Sequence, residues 1–143
     1  MPTALDVRTQ SIQVAAVDAS ATPTIFVFKA PADNKCRIHK IYLTSKTAIA
    51  AHASNIHTST INRYRAGSAT AIASRTTDSD VAGSGAIVAN VPWEIPLTSA
   101  ALAELNAGDF IEWAPTEGGT ATSGDLTFCL LTIEYSVGYG GGI

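Results

Sequence analysis

The sequence predicts an all-β domain: a single two-sheet antiparallel sandwich with one short helix. Three observations carry this reading. Apolar and β-branched residues alternate with polar ones in short runs, Gly, Ser, Thr, Asn and Pro separate the runs, and only one stretch has helical spacing. The chain has 143 residues, the size of one domain. At that length roughly 68–70% of the unfolded surface is buried on folding, enough for a core without metal or disulfide staples. Residues 11–137 are read as the sandwich. Residues 1–10 have no clean alternation and read as an N-terminal arm; 138–143 read as a glycine-rich tail that cannot hold a strand by itself.

Period-two alternation places strands at 12–17, 24–30, 35–44, 55–64, 70–76, 91–96, 110–114 and 126–137. In the last, Cys129, Leu131, Ile133, Tyr135 and Val137 share one face, which is assigned to the core. Ile25-Phe26-Val27-Phe28 is apolar on both faces and suits a strand covered on both sides, by the partner sheet and by a loop or another subunit. Ala32-Asp33-Asn34, after Pro31, predicts a hairpin between the second and third strands. Glu117-Gly118-Gly119 through Ser123-Gly124-Asp125 predicts another between the last two. The helix is expected at 98–107, where Thr98 or Ser99 offers a cap, Leu102 and Leu105 lie three apart, and Gly108 stands at the stop. Residues 77–90, with Asp78, Asp80, Gly83, Ser84 and Gly85, form a long loop, and loops of that length tend to be functional or mobile.

Composition excludes several classes. Hydrophobic residues make up 46% of the chain and charged ones 15%, so the surface is polar rather than charged. With a net charge of -3 and nine Lys plus Arg, no basic stripe is available to track nucleic-acid phosphates. Arg37, Lys40, Arg63 and Arg65 come nearest to a patch and read as solvated strand positions. The N-terminus has no basic segment followed by an apolar one, and no apolar run approaches the roughly eighteen residues of a membrane span. A soluble protein made in the cytosol is expected. Cys36 and Cys129 sit inside strand-like runs and read as buried free thiols; a disulfide stays open only if their strands are neighbours.

Nothing in the spacing assembles a catalytic constellation, so no enzyme, cofactor or metal is expected. His39, His52 and His57 lack the spacing of a zinc site. Asp78-Ser79-Asp80 opens like a calcium loop with Gly83 at the sixth place, but Ala89 stands where the closing Glu belongs. Glu94, Asp109, Glu112 and Glu134 are not spaced to aim two carboxylates at one cleft, and Gly83-x-Gly85 lacks the third glycine of a phosphate cradle. Trp93 and Trp113 lie among apolar neighbours, which places them in the core. The alternative is a carbohydrate-binding, lectin-like module, which needs at least one exposed tryptophan to stack on a sugar.

Five stretches carry a resemblance: Phe28-Lys29-Ala30-Pro31, Cys36-Arg37-Ile38-His39-Lys40-Ile41-Tyr42-Leu43-Thr44, Ile72-Ala73-Ser74-Arg75-Thr76-Thr77, Leu105-Asn106-Ala107-Gly108-Asp109 and Leu131-Thr132-Ile133-Glu134-Tyr135. Together they resemble bacteriophage virion proteins of the capsid decoration (cement) or head-fibre kind, over most of residues 24–137. The motifs mark strands and turns and transfer no functional residue. The resemblance implies a jelly-roll-like sandwich on the outer surface of a virion shell, with the major capsid protein as partner, no nucleic acid or membrane, and a dimeric or trimeric homo-oligomer that stabilises the lattice by bridging capsomers. A tail, neck or fibre-associated protein is the alternative within that class, and a glycan is the partner under the lectin reading. On the decoration reading, contacts are expected in the arms and in loop 77–90, at Asp78, Asp80, Tyr139 and Ile143, with Tyr139 as anchor because Tyr is enriched at interface hot spots.

Overall fold

The computed structural model describes residues 6–99, 103–119 and 126–138. The strands are β1 (Val7–Val17), β2 (Ile25–Lys29), β3 (Cys36–Thr44), β4 (Asn55–Arg65), β5 (Ser68–Thr76), β6 (Trp93–Glu94), β7 (Glu104–Leu105), β8 (Phe110–Gly119) and β9 (Leu126–Val137). Every run read as a strand contains one. Pairing is antiparallel throughout, in a five-stranded sheet of order β1-β9-β3-β6, with β7 also on β3, and a four-stranded sheet of order β2-β8-β4-β5. The chain changes sheet at every connection except β4 to β5 and β6 to β7. With the two-residue β7 set aside, eight strands exchanged between two sheets in this order make a jelly roll.

Both expected hairpins give way to crossovers. β2 and β3 lie in different sheets, so 30–35 crosses the sandwich; β8 and β9 also lie in different sheets and do not pair, and residues 120–125 between them lie outside the described set. The true hairpin joins β4 to β5 through Ala66 and Gly67, both at positive φ (49° and 81°), the backbone of a two-residue turn that matches strand twist. The helix expected at 98–107 is not formed by its described part. Ala103 accepts from the Ile38 amide at 3.0 Å, and Glu104 and Leu105 pair with Arg37 and Cys36. Burying Leu105 against β3 outweighs a weak local helical preference; residues 100–102 lie outside the described set. Val7–Gln10, read from the sequence as arm, belong to β1 and pair with β9.

Four strands break period two, and in three of them the break coincides with an extra residue in one strand of a pair. The pairing shifts across Val27 in β2, His39 in β3 and Ile72 in β5. Each bulge re-phases the strand, so that Val27 with Phe28, Ile38 with Ile41, and Ile72 with Ala73 are all buried. In β9, Phe128 at φ 48° does the same: Leu126 and Cys129, three apart, both face inward while Phe128 is left 53% exposed. The β2 bulge corrects the reading of 25–28 as covered on both sides, because Phe26 points outward and is 53% exposed. Ile38, Ile41, Leu43, Leu131 and Ile133 of the larger sheet belong to one core cluster with Ile61, Ile111 and Trp113 of the smaller. Phe28 and Tyr135 meet across the sandwich with ring centres 4.8 Å apart.

The hairpin makes a direct test. A non-glycine residue in the left-handed region is strained by about 1–2 kcal/mol, and Asn tolerates that region best. Ala66→Asn should raise stability by about 0.5–1 kcal/mol. Gly67→Ala, with nothing within 4 Å of the added carbon, should lower it by about 1 kcal/mol through backbone strain alone. Urea midpoints of the three proteins check both signs.

Candidate functional site

The loop that the sequence places at 77–90, as functional or mobile, runs over 77–92 between β5 and β6, and its anchors explain its shape. Thr77 is fully buried and clasps His57: the His57 amide donates to Thr77 Oγ1 at 2.9 Å and the Thr77 amide to the His57 carbonyl at 2.9 Å. Asp78 Oδ1 then accepts from the Asp80 amide at 2.9 Å, closing a local turn that a short acidic side chain makes readily. Farther on, Ile49 and Ile87 form a bridge with both side chains buried, and the Asn90 amide donates to the Ser45 carbonyl at 2.8 Å. Arg75 pins the middle. Its guanidinium lies 4.8 Å from the Trp93 ring centre and donates to the Glu94 carbonyl, while Trp93 Nε1 donates to the Gly85 carbonyl at 3.1 Å. A Cβ at Gly85 would sit 3.1 Å from that guanidinium, so a side chain there would displace it by a few tenths of an ångström. The loop is tied at many points, yet it turns Val81, Val88 and Val91 outward at 47, 55 and 49% exposure.

Beneath this loop lies a buried polar layer. His57 and Ser59 project inward from β4, with His57 Nε2 and Ser59 Oγ 2.9 Å apart, and Trp113 Nε1 donates to Ser59 Oγ at 3.1 Å. Glu117 is directly opposite His57 on β8. A Ser–His contact suggests nucleophilic chemistry, but both side chains are fully buried, so no substrate reaches Ser59. The layer fastens the indole of Trp113 and the start of the loop to the smaller sheet.

The remaining sequence candidates are dispersed. His39 shares a 2.8 Å hydrogen bond with Ser136 Oγ, and His52 Nδ1 accepts from the amides of Ser54 and Asn55. Among the described residues no three His, Cys, Asp or Glu side chains gather as a metal set. Asp78 and Asp80 sit together in their turn; Tyr139 and Ile143 lie outside the described residues. Trp93 and Trp113 are 4% and 0% exposed, which overturns the tryptophan platform that the lectin alternative requires. Asp109 is 6% exposed and organises the Asn106–Asp109 turn: its carboxylate accepts from the Asn106 amide at 2.8 Å and bridges Arg65 at 2.7 Å, while Gly108 turns the chain at φ 81°. Glu94 pairs with Tyr42, and Glu134 with Lys40. Tyr42 and Glu134 line a shallow depression of about 400 Å³ on the outer face of the larger sheet.

Cys36 and Cys129 are free and buried. β3 and β9 are neighbours, but the register sets Cys36 opposite Val137, eight positions from Cys129, or about 27 Å along the strand. No disulfide can span that distance. Burial raises the Cys36 thiol pKa and pushes that of Cys129 up to about 11, against a hydrogen bond from Ser45 that lowers it.

Sequence reading missed one feature. Phe26 packs at 5.2 Å from Phe110 and 5.9 Å from Tyr64 on the outer face of the smaller sheet, and the Lys29 ammonium lies 5.3 Å from the Phe110 ring centre. The three aromatics come from β2, β4 and β8, so no single run signals the cluster.

Fold and site together define a jelly-roll sandwich protein whose described histidines, cysteines and tryptophans serve its frame. No known family matches the chain, and no curated protein matches it. Two similar solved structures are chains of infectious bursal disease virus. The Gx strain chain is 17% identical, with a TM-score of 0.44 over 96% of this chain and 34% of that one. The Gt strain chain is 12% identical, with a TM-score of 0.33 over 95% of this chain and 38% of that one. The present chain thus spans little more than a third of either.

Two outcomes follow from the burial. The folded-state pKa of His57 is pushed down from 6.5 to about 4 by desolvation. Between those values the unfolded chain protonates this residue and the folded chain does not, so its contribution is fully present above pH 6.5 and lost as pH falls through 4. The unfolding free energy from urea titrations should fall across that window by about 3 kcal/mol in the native protein, and His57→Gln should flatten the slope. Second, a thiol reagent at pH 8 should label neither cysteine in the folded protein and both after denaturation.

Proposed function

We propose that this chain is a structural virion protein, a capsid decoration or cement protein that binds the outer shell lattice of a virus particle and bridges capsomers without catalysing a reaction. The observation that carries the reading is the loop 77–92: a segment with three outward valines held by buried anchors on a rigid jelly roll. Exposed apolar residues on an immobilised segment suit docking, because little conformational entropy is lost when they are covered. The fold is one that capsid components use, though lectins use it too. The motifs resembling phage virion proteins support the choice between them, since they fall on β2, β3, β5, β9 and the Asp109 turn, the frame of this sandwich.

In this reading the protein binds the assembled lattice and not its free or unfolded subunits, and so stabilises the shell by RT ln(1 + [L]/Kd) per site. Low charge is compatible with many copies lying side by side on one surface. A second reading has one observation in its favour: exposed Phe26, flanked by Phe110, Tyr64 and Lys29, offers a stacking face for a sugar ring in place of the buried tryptophans.

Quantitative mass spectrometry of purified particles should find copies of this protein in the range of about one-third to one per major capsid protein, as a shell-wide coat requires. Val88→Asp with Val91→Asp should abolish rebinding to stripped particles while leaving the circular dichroism and urea midpoint of the free protein unchanged. A handful of copies per particle would move the protein to tail or neck. Absence from particles, with glycan binding that Phe26→Ala removes, would replace the virion reading by the lectin one.

A further inference from the structure

A jelly roll leaves strand edges unpaired, and a bare edge is a template for another strand. Most edges of this molecule are protected. β2 is five residues long, carries the Val27 bulge, and lies between Pro23 and Pro31. β6 is two residues between Pro92 and Pro96. β5 is longer, but its outer side is partly taken: the Thr98 amide donates to the Ile72 carbonyl at 2.8 Å, Ala73 bridges Leu97, and the Gly85 amide donates to the Thr76 carbonyl at 3.2 Å.

β1 has none of these devices. It runs for 11 residues in unbroken register with β9, and it contains no Pro, Gly or Lys and a single charge, Arg8. On the side away from β9, no described strand or loop pairs with Thr9–Val17. The residues along it are exposed or half-buried up to Ala16.

We infer that this edge pairs with β1 of a second copy, antiparallel about a two-fold axis at Gln13, joining the two five-stranded sheets into one. The sequence of β1 is self-complementary in that register. Gln13 faces Gln13 of the second copy, and their amides can bond to each other. Ile12 faces Val14, both half-buried residues packed against the core of their own chain. Arg8, which already bridges Asp6 of its own chain at 2.9 Å, comes opposite Asp18 of the second copy, a carboxylate kept ionised by its Ser20 hydrogen bonds. Shifting the axis to Ile12 sets Asp6 against Asp18, two like charges. An isologous strand pair closes on itself, so the product is a dimer and not a fibre. This inference stands on edge protection and register, and does not rest on the virion reading.

The test is sedimentation of the full chain with two cysteine variants. The native protein should be dimeric at concentrations up to about 100 µM, a range that populates even a weak interface. In Gln13→Cys, the two α-carbons across the axis would lie about 4.5–5.5 Å apart, within disulfide reach. Mild oxidation should then give a covalent dimer, and the buried native thiols will not compete. Thr9→Cys is on the same face but about 27 Å from its counterpart in this register, and should stay unlinked. Gln13→Lys should weaken the dimer by about fivefold through like charges placed directly opposite. A monomer at the highest concentration, or Thr9→Cys linking as readily as Gln13→Cys, overturns the inference. A monomer that binds particles through residues 9–17 would give the edge to a different polypeptide, and overturns it too.

Discussion

The structure depends on one constraint: two sheets bury one face each against the other, while most connections carry the chain from one sheet to the other. Every strand must therefore keep its apolar residues on the inward side, over a run in which side chains alternate. Where the sequence departs from alternation, an added residue or a left-handed backbone corrects the phase. Val27, His39 and Ile72 are the added residues, and Phe128 is the left-handed one. Without the His39 bulge, Ile38 and Ile41 would face opposite sides of β3, and one of two fully enclosed isoleucines would be in solvent. Losing a side chain of that size from the core removes about 2–3 kcal/mol of burial.

The same corrections determine what the outside looks like. Re-phasing β2 at Val27 leaves Phe26 on the outer face beside Phe110 and Tyr64, and re-phasing β9 leaves Phe128 outward, beneath the Lys46 ammonium at 4.9 Å. Exposed aromatics here are a by-product of keeping the inner face apolar and also the raw material of a binding face. The tied-down loop follows a similar logic. Its polar anchors, Thr77 and the His57–Ser59–Trp113 layer, are buried because the loop closes one end of the sandwich. Its valines are outward because the inner positions are already filled by Ile87, Trp93 and Ile95.

The polar groups of the core serve the frame. Ser59 and His57 hold a hydrogen bond that would be chemically suggestive in a cleft, yet in the core it positions an indole. Asp109 is likewise a builder of a turn, joined to Arg65 and to the backbone of Asn106. Among the described residues, the outward side of loop 77–92, the aromatic face of the smaller sheet and the edge of β1 are available to another molecule. An interface assembled from such parts is extended and shape-dependent.

By itself the sequence determined where the strands are and which face of each is apolar, because alternation is a local property read along one run. The strand at 126–137 and its inward set Leu131, Ile133 and Val137 were legible in that way, as was the burial of both cysteines. Which strands are neighbours was decided only by tertiary structure. A turn at 31–35 that looks like a hairpin is a crossover, since the preference of a few turn residues is small beside the burial of two strands in different sheets. The pull of β3 converts a weak helical pattern at 103–105 into β7. The aromatic cluster and the unprotected edge of β1 were invisible for the same reason: each is a relation between residues far apart in the chain, fixed by packing that no single run encodes.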